Sequence, residues 1–174
     1  MKYSIPTYLI AFFTAFWLVS CSGETETIRV ASPELYLTAE GPLFEGANTA
    51  TASWEFNLND ILGKGADEKV SLKNAKITKV EFLLEEADEL PELENMVFEV
   101  TSKNTSMTRI GLYEGKIEAG TPFQLSLAAK QENLSSAFED GKITFVGDFD
   151  LKEEEFWEDL NFSLNIVFEL EVKK

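Results

Sequence analysis

The 174-residue chain contains no histidine and a single cysteine, Cys21. The first absence removes the commonest general base, the Ser–His catalytic arrangement, and histidine-ligated zinc, iron or copper. The second removes any disulfide within the chain, so stability has to come from a core. Basic residues are scarce as well: 15 lysines and arginines stand against 31 aspartates and glutamates, a formal charge of −16. Phosphate backbones and anionic headgroups repel such a chain, which excludes nucleic-acid binding and electrostatic docking on a membrane. No glycine-rich phosphate loop occurs either.

What is present starts at the N-terminus. Residues 1–20 read MKYSIPTYLIAFFTAFWLVS, with Lys2 in a short leading region and an uncharged apolar stretch from about Tyr8 to Val19. This is the layout of a secretory signal peptide, too short to span a bilayer comfortably as a helix. Several fates are open to the lone cysteine behind it. A buried core thiol is disfavoured, because the flanking apolar run has no polar alternation with which to form an amphipathic element. A catalytic thiol has no histidine to activate it. An ordinary signal with a cysteine near the cut by accident would need that accident at one particular position.

Leu18-Val19-Ser20-Cys21 resembles the lipobox of bacterial lipoproteins: a branched apolar residue, two tolerant positions, then cysteine. The resemblance implies cleavage between Ser20 and Cys21 and a diacylglycerol on the Cys21 thiol, with the new amine open to acylation too. Each buried methylene contributes about 0.8 kcal/mol, and two or more chains anchor stably where one does not. Residues 1–20 are then the signal peptide, 21–27 the lipidated cysteine and a short tether, and 28–174 one domain. The tether from Ser22 to Thr27 would reach about 20 Å fully extended. Loss of residues 1–20 removes Lys2 and no acid, which leaves 14 basic residues against 31 acidic ones and a formal charge of −17. Attachment to a membrane would come from the lipid alone.

Period-two alternation dominates the remaining residues. In LNFSLNIVFELEV, Leu160, Phe162, Leu164, Ile166, Phe168, Leu170 and Val172 occupy every second position. Successive strand side chains face opposite ways, so this predicts a long strand with one buried face. TATASWEFNL, KVEFLL, MVFEVTS, MTRIGLY, FQLSLA and KITFVGDFDL repeat the pattern at shorter length. Ile77 is out of phase with Val80, Phe82 and Leu84, which predicts a bulge near Thr78. MVFEVTS and MTRIGLY are spaced as a hairpin, and IRV with PELYLTA as a first strand interrupted around Pro33. Short helical turns are expected at Asn59–Gly63, at LKEEEFWEDL and at NLSSAFEDG. Glu85 to Asn95 reads as an acidic loop.

Seven or eight strands with one apolar face each bury those faces by stacking two sheets, which predicts an all-β, antiparallel, immunoglobulin-like sandwich. An eight-stranded barrel would satisfy the same pattern; uneven strand lengths and irregular connections favour the sandwich. Lipobox, acidic tether and one all-β domain together resemble the small uncharacterised lipoproteins of Bacteroidota. That resemblance implies location and fold type, not an activity. Glu24 and Glu26, just after Cys21, fit loosely the acidic surface-export signal of that group.

Constellations with chemical potential are few. The acidic loop could chelate calcium, but it lacks EF-hand spacing and reads more simply as a solvated loop. Asp148 and Asp150 share one side of a strand and could do acid/base work, though such pairs are usually solubilising. Phe156 and Trp157 interrupt an acidic run. An exposed Trp157 could stack on a sugar or anchor a protein, whereas both rings capping the core is the blander reading. No cofactor and no metal is expected. The expected protein is a non-enzymatic binding or display module, lipid-anchored through Cys21 in a bacterial cell envelope at the outer membrane, with an unknown protein or glycan partner. The alternatives are an accessory subunit of an envelope complex that binds through a sheet edge, and a carboxylate-based hydrolase.

Overall fold

The computed structural model describes residues 25–65, 69–87 and 89–173. Ser20, Cys21 and Glu24 lie outside the described residues, as does Asp88 of the acidic loop. Ten strands form, all paired antiparallel.

The longest predicted alternation builds β10 (Leu160–Lys173), and its seven alternating apolar side chains are each 5% exposed or less. One edge of β10 pairs with β4 (Leu72–Leu84). The other edge carries both halves of the interrupted first strand, β1 (Thr25–Ala31) and β2 (Leu35–Ala39). Pro33 lies in the gap, where Ser32 keeps the register. Its N–H donates to the Ile166 carbonyl at 2.9 Å, and its hydroxyl accepts the Ile166 N–H at 3.2 Å. On the outer face Glu169 sits between Lys76 at 2.7 Å and Arg29 at 3.8 Å. The Lys76 ammonium, through its hydrogen bond, holds that carboxyl below its ordinary value.

A second group of strands comprises β3 (Leu43–Glu55), β9 (Lys142–Phe156), β5 (Leu93–Thr101) and β6 (Thr108–Ile117), paired in that order. Two thin joints connect the groups. On one side β2 meets β3 at the single pair Thr38–Thr51. On the other, β7 (Phe123–Gln124) pairs with β4 while β8 (Ser126–Leu127) pairs with β6, and only Leu125 separates them. One short segment thus clasps both groups, and the sheet nearly closes into a barrel. This corrects two expectations. The strands number ten rather than seven or eight, because Pro33 and Leu125 each split one predicted strand. The ladder also runs as one near-closed circuit, closer to the barrel alternative than to the favoured pair of stacked sheets.

Local detail follows the residues. Thr78 is the unpaired residue where the β4–β10 register shifts, with its hydroxyl donating to the Val167 carbonyl, as the phase of Ile77 predicts. The hairpin of β5 and β6 forms. Helix α1 (Leu58–Ile61) is capped two residues earlier than predicted: Asn57 rather than Asn59 is the cap, its side chain accepting the Asn59 N–H at 2.9 Å, and Gly63 closes it at φ +63°. Helix α2 (Ser135–Glu139) forms where expected. The predicted helix in LKEEEFWEDL does not: β9 runs on through Phe156, paired to Leu43 and Phe44, and β10 starts at Leu160. Pairing along β3 overrides the local helical spacing of Phe156 and Leu160. The first strand begins at Thr25, inside the stretch read as tether, because Thr25 to Thr27 find backbone partners in Glu171 to Lys173.

Strand register defines two poles. The connections 40–42, 85–92, 118–122 and 157–159 gather at one, and the start of β1, α1, the 102–107 turn, α2 and the end of β10 at the other. At the second pole Asp140 organises the 102–107 turn. It accepts the Ser102 hydroxyl at 2.6 Å, the Asn104 N–H at 2.8 Å and the Asn104 side-chain amide. The Ser102 bond first, then the Asn104 backbone bond, hold its carboxyl below the ordinary 3.8, with a smaller contribution from Lys103. A lowered carboxyl stabilises the fold fully above the unfolded value and loses that contribution as pH falls through the folded one. Amide protection at Asn104 and Thr105 is therefore expected to fade as pH drops below 3.8. Asp140→Asn should flatten that dependence in hydrogen exchange. A native Asp140 titrating at or above the ordinary value would contradict this.

Candidate functional site, an acidic pole with an apolar cleft

The first pole is charged one way. Its four connections hold eight carboxylates among the described residues, including Glu40, Glu92, Glu118 and Glu158, and no lysine or arginine. The connections of the opposite pole hold four acidic and four basic residues among those described.

Within the acidic pole lies a cleft of about 340 Å³. Leu84, Pro91 and Ile117 form its buried floor, with Leu90 and Ala119 half-buried beside them. Glu92, Glu118, Glu153 and Lys116 complete the lining, all four exposed. The sequence builds this locally. β4 ends on apolar Leu84, the acidic loop returns through Leu90-Pro91, and β6 ends on Ile117. Backbone bonds fix the walls: Gly120 N–H donates to the Leu84 carbonyl at 3.0 Å, and Lys152 N–H to the Glu92 carbonyl at 3.0 Å. Glu153 accepts the Glu92 N–H at 3.1 Å, which ties the acidic loop to β9. Nearby Lys152 is engaged by Glu94 at 2.7 Å, and this hydrogen bond raises its pKa.

Of the two aromatic candidates, Phe156 is half-buried against the core. Trp157 is 68% exposed, so the reading in which both rings cap the core holds for Phe156 alone. The 157–159 turn that presents Trp157 is pinned from behind. Gly41 N–H donates to Asp159 at 2.9 Å, and a Cβ at Gly41 would fall 2.6 Å from the Trp157 carbonyl oxygen. Trp54 lies on the core side of β3, with its ring 4.5 Å from Phe56 and 5.8 Å from Phe168.

The two carboxylates singled out on β9 have separate partners. Asp148 accepts the Thr49 hydroxyl and Asp150 accepts the Asn95 amide, so each serves its own cross-strand bond. Among the described residues no group of three or more carboxylates is arranged to hold a metal ion. The cleft itself was not legible beforehand, because its floor joins residues of three distant segments; only the Leu90-Pro91 pair within an acidic run hinted at an apolar spot. Chemically, a ligand would meet the exposed side chains of the rim, Glu92, Glu118, Glu153 and Lys116, because Leu84 and Ile117 of the floor are almost fully buried.

No protein-family model matches the chain, and no curated protein matches it. A chain from the structure of infectious bursal disease virus Gx strain is similar over 87% of this chain and 38% of its own length. The TM-score is 0.37 and the identity 10%, a likeness too slight to carry an argument.

Proposed function

We propose that the protein is a lipid-anchored component of a bacterial cell envelope, held through Cys21 at the outer membrane, that acts without catalysis as a binding or display module. The observation that carries this reading is the opposition of the two poles. Thr25, four residues after Cys21, opens the pole beside Lys173, whereas the cleft and Trp157 lie at the other. β10 runs between them, and at roughly 3.4 Å per residue its 14 residues reach about 45 Å along the strand. A lipid on Cys21 would hold one pole near the bilayer and point the acidic pole away from an anionic surface. In this reading the near-closed barrel serves as an immunoglobulin-like sandwich would, presenting the connections at one end.

Catalysis fits the site poorly. Glu92, Glu118 and Glu153 are exposed, so no water-excluding pocket surrounds a reacting group there. An accessory role through a sheet edge has one observation in its favour: β1 is paired only along its β10 edge among the described residues. Cys21→Ala is expected to move the protein from the membrane to the soluble fraction and to end its labelling by palmitate. A variant that still fractionates with membranes and takes up label would sink the anchor reading. Crosslinks formed in cells should map to the acidic pole; crosslinks confined to Thr25–Ala31 would favour the edge.

A further inference from the structure

We propose that the free edge of β1 takes up an extended segment of a partner protein as an added antiparallel strand. Apolar residues of that segment stand opposite Ile28 and Val30, an acid opposite Arg29 and a base opposite Glu26. The inference rests on the sheet-edge role and names the segment such an edge would take, apart from any contact at the acidic pole. Backbone geometry selects a strand. β1 pairs with β10 from Thr25 to Ala31, and among the described residues nothing pairs with its other edge. Alternate residues along that edge turn their N–H and carbonyl groups outward, up to the gap at Pro33. Another extended backbone satisfies such a row in step. Apolar surface also remains to be covered. Leu170 and Phe168 of β10 are fully buried, whereas Ile28 and Val30, paired to them on β1, are half-buried. A strand beyond β1 would complete that row.

Charge sets the sequence of the added strand. The Arg29 side chain is 76% exposed, and its ion-pair partner Glu169 stands 3.8 Å away, engaged by Lys76 at 2.7 Å. Most of the guanidinium is therefore open to a second carboxylate. Glu26, toward the end of the strand, is exposed as well. Such charges guard an edge against an unmatched strand and favour a matched one. A second copy of β1 is unmatched. Antiparallel self-pairing that keeps each side chain on its own face centres on Thr27, Ile28 or Arg29. The first two registers set Glu26 against Ile28 or Val30, and the third sets Arg29 against Arg29.

The test uses the full chain in neutral detergent and end-blocked fluorescent peptides, followed by anisotropy. The first peptide runs threonine, valine, glutamate, valine, threonine, lysine, threonine, and a second exchanges its glutamate and lysine. Both peptides are neutral overall, and Glu26→Lys combined with Arg29→Glu leaves the charge of the chain unchanged. Net charge is thus constant throughout. The chain should bind the first peptide about fivefold more tightly than the second, and the double variant should reverse that order. Methylating alternate backbone nitrogens of the first peptide, odd or even, should abolish binding for the set that faces β1. Equal affinity for the two peptides would overturn the proposal. So would an unreversed order in a double variant whose far-ultraviolet circular dichroism is native, or undiminished binding by both methylated sets. Self-association of the chain that the peptide displaces would assign the edge to a second copy and also overturn it. Crosslinks in cells at Thr25–Ala31 without peptide binding refute this side-chain pattern and leave the sheet-edge role standing. Membrane retention through Cys21 is read separately.

Discussion

Phe82→Ala is expected to cost about 3–5 kcal/mol. Phe82 is fully buried and its ring meets three others: Phe98 at 5.3 Å, Phe123 at 5.6 Å and Phe162 at 6.5 Å. These rings come from β5, β7 and β10, so one side chain ties both strand groups and the clasp between them. Removing it opens a cavity that no single neighbour can fill, since each is fixed in its own ladder. Against a typical net stability of about 5–15 kcal/mol, such a loss threatens the fold itself. Urea denaturation should show the midpoint falling with an unchanged slope. A cost below about 1 kcal/mol would mean that the surroundings collapse into the space, contrary to the packing described.

Gly111→Ala is expected to destabilise by about 1–3 kcal/mol, through overpacking rather than a cavity. A Cβ there would stand 2.7 Å from the Ser126 carbonyl oxygen and 3.2 Å from the Leu127 Cα. Both contacts are backbone, so relief requires β8 to move away from β6. β6 cannot retreat instead, because Gly111 is paired to Phe98 of β5 on its other edge. The damage should concentrate in the clasp. The Ala128 N–H, which donates to the Ile110 carbonyl at 2.8 Å, should lose hydrogen-exchange protection before amides of β10 do. Uniform loss across all strands would instead indicate that the clasp and the barrel open together.

Strands were legible in this sequence wherever one face is buried and the other is wet. Leu160 to Val172, Ala50 to Trp54 and the out-of-phase Ile77 are cases in which side-chain alternation alone carries the answer; the same alternation overran the end of β3, since Leu58 opens α1. The helix expected around Phe156 failed because i,i+4 spacing is a weak local preference, while the backbone of Leu43 and Phe44 lay within pairing reach. Strand order was hidden for a different reason. It depends on which edges meet, and successive strands such as β9 and β10 are not paired to each other at all. The cleft shares that obscurity, since Leu84, Pro91 and Ile117 converge only once the order is set. Exposure of Trp157 beside half-buried Phe156 turns on a three-residue connection, too short to show a period.

β10 is the partner that β1, β2 and β4 have in common, and it is the last strand of the domain. These residues follow β1, β2 and β4 in the chain, so none of the three can complete its ladder until β10 has been made. Half of the barrel therefore has no route to assembly until translation reaches Leu160 and beyond, and its contacts are among the most distant in sequence. The other half, β3, β9, β5 and β6, has all of its strands by Phe156 and can pair first. Closure of the circuit then waits on β10, the strand that joins β4 to β2.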